Sequence, residues 1–79
     1  MDTKVGKIKS YNKGMGEIES DKNTYRFLDK DLIPKDNQES YNLNEEVLFR
    51  GEKVQGINRA FFVRKPKNEE EVKKYIIHK

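Results

Sequence analysis

Short runs of alternating apolar and polar residues, separated by polar turns, fill the first third of this chain. Val5 and Ile8 stand among Lys4, Lys7 and Lys9, so Val5–Tyr11 reads as a strand with one apolar side. Asn12-Lys13-Gly14 supplies turn residues that tolerate positive φ at little cost. Met15–Glu19 is a second strand with Ile18 inward, and Asp21-Lys22-Asn23 a second polar turn. Thr24–Leu28 is a third strand with two registers open to it. With Arg26 outward, Tyr25 and Phe27 enter the core; the opposite choice buries an arginine, which is costly unless the charge is paired. The first register is therefore preferred.

The rest of the pattern is less regular. In the long stretch Asp29–Asn42, Leu32-Ile33-Pro34 is expected to pack one short turn against the core, because Pro34 disfavours helix at Ile33. Asn37-Gln38-Glu39-Ser40 reads as polar loop. Leu43 is expected to open a fourth strand region, with Glu45-Glu46 as a tight turn and Val47-Leu48-Phe49 as the strand body. Gly51–Gly56 reads as a turn with Val54 tucked in. Ala60–Val63 is the fifth strand, in which either Phe61 or Phe62 must face outward. Beyond Pro66, Asn68 has the chemistry of a helix N-cap and Glu69, Glu70 and Glu71 suit the positive end of a helix. Val72, Tyr75 and Ile76 then fall on one helical face, which a helix this short must dock on something.

Size and composition narrow the picture. At 79 residues, 33% hydrophobic and 39% charged, the chain makes one domain with a small core. Residues 1–65 are expected to form the domain body and residues 66–79 a helical tail. There is no cysteine, which excludes disulfides, thiolate zinc sites and thiol catalysis. No apolar run is long enough to span a membrane, and Met-Asp-Thr-Lys lacks the apolar core of a secretory signal, so the expected location is cytoplasmic. The net charge of +3 is unevenly spread. Residues 1–16 carry four lysines against Asp2, and residues 50–67 carry Arg50, Lys53, Arg59, Arg64, Lys65 and Lys67 against Glu52. Residues 36–49 hold Asp36, Glu39, Glu45 and Glu46 with no base. Two basic segments that met in space would make a field suited to phosphate.

One segment carries a family likeness. Gly6-Lys7-Ile8-Lys9, Tyr11-Asn12, Lys13-Gly14-Met15-Gly16 and the closing Ala60 and Val63 together resemble the cold-shock domain. That resemblance implies an all-β fold: a five-stranded antiparallel OB-type barrel, here followed by a short C-terminal α-helix. It also implies binding of single-stranded RNA or DNA, with bases stacked on aromatic rings while lysines and arginines track the backbone. Lys9 and Lys13 fall at the family's basic positions and Tyr11 at an aromatic one. Ser10, Met15 and Glu17 stand where the family has rings. Arg26 takes the place of another, where its guanidinium plane can still stack, and Leu28 replaces a histidine. Tyr41 is a candidate for a loop aromatic of the family. Val5, Ile8, Ile18, Tyr25, Phe27, Val47, Phe49, Ala60 and Val63 are the expected core.

The candidate nucleic-acid-binding residues are thus Lys7, Lys9, Tyr11, Lys13, Met15, Arg26, Arg59 and Phe61. Stacking contributes about 1–3 kcal/mol per base, so a face short of rings binds more weakly and more electrostatically than the family's. The alternative is a protein-interaction module on the same scaffold, meeting a partner through the Val72/Tyr75/Ile76 stripe. No nucleophile–base pair, metal-ligand spacing or phosphate loop is present, so neither catalysis nor a cofactor is expected. His78, the sole histidine, lies one residue from the C-terminus.

Overall fold

The computed structural model describes residues 3–33 and 41–76. Its strands are β1 (Thr3–Asn12), β2 (Met15–Ser20), β3 (Asn23–Leu28), β4 (Glu46–Val54) and β5 (Ile57–Arg64), followed by helix α1 (Glu69–Ile76). A 3₁₀ turn at Asp29–Asp31 caps β3. The strands close into one barrel in the order β1-β2-β3-β5-β4, an OB-type architecture. Neighbours are antiparallel except β3 and β5, which run parallel where Arg26 lies opposite Arg59. A parallel bridge between Leu32 and Val63 extends that seam.

Three two-residue turns set the registers. Lys13-Gly14, Asp21-Lys22 and Gln55-Gly56 each place both residues at positive φ, the pattern whose twist matches that of paired strands. Two glycines elsewhere serve packing. A Cβ on Gly16 would run into the Phe27 ring and the Ser10 carbonyl. A Cβ on Gly6 would lie 2.5 Å from Ile18 Cγ2.

Two bulges shape the wall. In β1 the pairing with β2 slips between Ile8 and Ser10, so Lys9 and Ser10 both point out while Ile8 and Tyr11, three apart, both turn toward the core. In β5 the pairing with β4 slips between the partners of Leu48 and Arg50. There the extra residue lets Ala60 and Val63, again an odd spacing, both reach full burial. Without these bulges, strict alternation would expose one member of each pair.

The expected core is buried apart from Val5, which is half-buried. Arg26 is exposed between buried Tyr25 and Phe27, which decides the β3 register. Other expectations are corrected. Gly51 does not begin a turn: β4 runs on to Val54, and Gly51 leaves room for the Tyr25 ring, whose Cε2 would lie 2.8 Å from an added Cβ. Val54 is 38% exposed, paired with Ile57 beside the hairpin tip. The turn before β4 lies at Leu43-Asn44, where Asn44 has φ 68, and Glu46 opens the strand. Leu43 is exposed there. Tyr41 is no loop aromatic, because it is buried in the main core cluster with the Lys65 ammonium 5.1 Å from its ring centre. Burial, with the charge of Glu45 beside it, pushes the Tyr41 hydroxyl above its ordinary pKa. Leu32 joins the core as expected, whereas Ile33, expected to pack with it, is 41% exposed; Pro34, the loop expected at 37–40 and His78 lie outside the described residues.

Helix α1 begins as its sequence suggests. The Asn68 side chain accepts a hydrogen bond from the Glu71 N–H at 3.0 Å. Leu48 lies between inward-facing Val47 and Phe49, hence points outward, yet it is fully buried. Its row continues to Val5 on one side and Arg64 on the other. Helix α1 packs against β1 and is tied to Arg64 through Glu71, so it roofs this row, with Val72 buried beneath it. The stripe offered to a partner in the alternative reading is thus partly taken up by the fold.

Candidate nucleic-acid interface

Alternation places one set of side chains across the outer wall. Ser10 pairs with Glu17, Glu17 with Arg26, Arg26 with Arg59 and Arg59 with Glu52, giving a continuous row over all five strands. The next row holds Asn12, Met15 and Leu28. Lys7 and Lys9 project from β1 and Lys13 from the tip of the first hairpin. Lys7, Lys9, Lys13 and Arg26 are all exposed, and none forms an ion pair with a described residue. Glu17 sits half-buried in their midst.

The second basic segment behaves differently. Arg50 meets Glu52 at 2.7 Å, Arg59 meets Asp31 at 3.1 Å, Arg64 meets Glu71 at 2.7 Å, and Lys65 meets Glu45 at 3.0 Å. The field expected from residues 50–67 is therefore largely neutralised within the barrel wall. Arg59 in particular is a structural cation. Buried Asp31 accepts from it and, on the same oxygen, from the Leu28 N–H at 2.9 Å, which fastens the 3₁₀ turn to the β3–β5 seam. Losing either member of such a pair leaves a charge in a poorly solvated place.

The apolar candidates divide as well. The Tyr11 ring packs on Phe27 with centroids 5.6 Å apart, and its hydroxyl donates to Asp29 at 2.5 Å, so little of its face is offered outward. Met15 is 47% exposed beside half-buried Leu28. Phe61 is half-buried, with the Arg59 guanidinium 4.9 Å from its ring centre. Phe62 is the more exposed of the two at 56%, with Arg50 5.9 Å from its ring centre. Sequence reasoning brought Lys7, Lys9, Lys13, Met15 and Arg26 onto one wall. It left open which of Phe61 and Phe62 turns outward, and it did not find the ion pair between Asp31 and Arg59, whose partners lie 28 residues apart. Among the described residues no cluster of histidine, aspartate or glutamate is arranged to hold a metal ion, and no helix is long and apolar enough to cross a membrane.

No protein-family model matches this chain, and no curated protein matches it. A solved structure, drosophila Unr CSD456, is similar over 85% of this chain with a TM-score of 0.70 and 18% sequence identity. This chain spans 28% of the length of that one. The barrel order and this likeness together give the chain the fold of a cold-shock domain.

Proposed function

We propose that this barrel binds single-stranded RNA or DNA through the outer wall of β1, β2 and β3, without catalysis. The observation that supports the reading best is the division of cations. Lys7, Lys9, Lys13 and Arg26 are exposed and unpaired among the described residues, while Arg50, Arg59, Arg64 and Lys65 are matched to carboxylates, Lys53 alone on β4 having no carboxylate partner among them. Unpaired cations on a cold-shock barrel suit phosphate, and Met15 and the Arg26 plane offer soft contacts to bases. Lys7, Lys9, Lys13 and Arg26 hold the strand; Arg59 and Tyr11 keep the wall in shape, and Phe61 stacks with Arg59. With few rings on this face, affinity is micromolar at best and falls steeply with salt. A cytoplasmic location, where such strands are available, fits the reading, as does a body of residues 1–65 carrying a tail of residues 66–79.

The test is fluorescence anisotropy with labelled oligo-dT, oligo-U and duplex DNA over a salt series. Single strands bind better than duplex, and each phosphate contact adds about 0.7 to the log–log salt slope. Replacing Lys9 and Lys13 together with Ala lowers affinity and flattens the slope by about 1.4. Glu17→Phe removes a negative charge and adds a ring between Ser10 and Arg26, and tightens binding by about tenfold. If neither wild type nor Glu17→Phe shows salt-dependent binding at about 50 mM salt, the range where phosphate contacts act strongly, the reading fails. A protein partner, met through the exposed part of the tail, then takes its place.

A further inference from the structure

We infer that Phe62 is a base-stacking platform on β5, outside the β1–β3 wall; this rests on the nucleic-acid reading and adds a second site to it. Phe62 is the one exposed aromatic among the described residues. It also stands at φ 56, in the left-handed region, at the bulge where β5 takes up its extra residue. Glycine occupies such a position freely, whereas a bulky side chain there is a backbone outlier. The bulge itself is needed to bury Ala60 and Val63, but it does not need a phenylalanine. The ring gains little burial and sits on a strained backbone, so the barrel gains little stability from it. A side chain that is unfavourable on both counts points to a ligand.

The surroundings select the ligand. Phe62 has the Arg50 guanidinium 5.9 Å from its ring centre, and its neighbour Phe61 lies under Arg59 at 4.9 Å. Arg26 faces Arg59 across the β3–β5 seam. Three residues of strand cover about 10 Å, so Phe62 lies within reach of a strand that contacts Arg26. An apolar peptide segment wants a continuous apolar patch, and here the ring stands beside the Arg50–Glu52 ion pair. A nucleobase wants a flat π-face with planar cations beside it, and brings its own phosphate. The occupant is an unpaired base.

The variants that test this are Phe62→Gly and Phe62→Trp, each measured against labelled oligo-dT and an abasic strand of equal length, over a salt series. Phe62→Gly relieves the left-handed strain, so its Tm rises, which separates loss of the ring from loss of the fold. It binds oligo-dT about tenfold more weakly at every salt concentration, with the slope unchanged, because stacking carries no counterion release. Its affinity for the abasic strand equals that of wild type, and Phe62→Trp keeps wild-type affinity for oligo-dT. If wild type binds oligo-dT but Phe62→Gly binds it equally well, this inference falls and the β1–β3 reading stands, the exposed ring then belonging to a protein contact. Equal losses on both strands also overturn it, because no base is then involved. If wild type binds neither strand, both readings fall.

Discussion

Lys22 holds φ 70 in the Asp21-Lys22 turn, a backbone shape that an L side chain takes at a cost and glycine takes freely. Lys22→Gly is expected to stabilise the barrel by about 0.5–1 kcal/mol once the entropy of glycine in the unfolded chain is set against the relief. For a domain this size that raises Tm by roughly 4 °C, read by thermal denaturation. Gly16 is the opposite case, since any Cβ there collides with Phe27 and with the backbone of Ser10. These single positions show what a sequence discloses. That Asn12-Lys13-Gly14 turns is legible, because turn chemistry is local. That Gly51 sits inside a strand is not, since its reason is a tyrosine ring from β3. Tyr41 reads as a loop residue, and only the closed barrel brings it into the core. The partnership of Asp31 with Arg59 spans 28 residues and leaves no mark on the local pattern.

Among the elements, α1 depends most on one side chain. Glu71 accepts two hydrogen bonds from the Arg64 guanidinium, at 3.2 and 2.7 Å, and a third from the Lys67 N–H at 2.7 Å. The Arg64 hydrogen bonds, followed by that of the Lys67 N–H, hold the Glu71 carboxyl down at about 2, against an ordinary value of 4.5. The same contact raises the Arg64 pKa. A depressed carboxylate stabilises the folded form at all pH above its unfolded value, and that contribution disappears as pH falls through the folded value. Acid is therefore expected to loosen α1 between pH 4.5 and about 2. The measurement is helical circular dichroism, or the NMR shifts of Val72, across that range. Glu71→Gln should lower the docked fraction at neutral pH and flatten the acid response attributable to this group; an unchanged titration would show that Glu71 does not anchor the helix. The start of α1 was legible from Asn68 and the three glutamates. Its anchoring was not, because Glu71 reads as one of three equivalent acids until Arg64 is placed beside it.

At the scale of the molecule, charge is partitioned rather than spread. Net charge and segment composition suggest two basic regions, whereas the folded chain matches much of the second with acids from the 3₁₀ turn, the segment before β4, β4 itself and α1. Replacing Arg64 and Lys65 together with Ala is thus expected to lower Tm while leaving the salt slope of oligonucleotide binding within about 0.3, well below the step of roughly 0.7 that one phosphate contact makes. A flattening comparable with that of the Lys9 and Lys13 replacement would mean that the paired cations open to the ligand. The barrel itself was legible through the cold-shock resemblance, carried by the local glycine and lysine pattern of the first hairpin; the division of its charge needed the fold. Closure of the barrel also limits how anything can be captured. Within the described residues β1 is flanked by β2 along Lys7–Asn12 and by β4 along Thr3–Lys7, and every other strand likewise has two neighbours. Among the described residues no strand is a free edge along its whole length, although β3 and β5 share only the Arg26–Arg59 pair, so a peptide or a second copy finds only short stretches on which to add a strand. Recognition by this barrel is left to side chains projecting from its wall, so the identity of a ligand can be altered by substitution with the backbone left as it is.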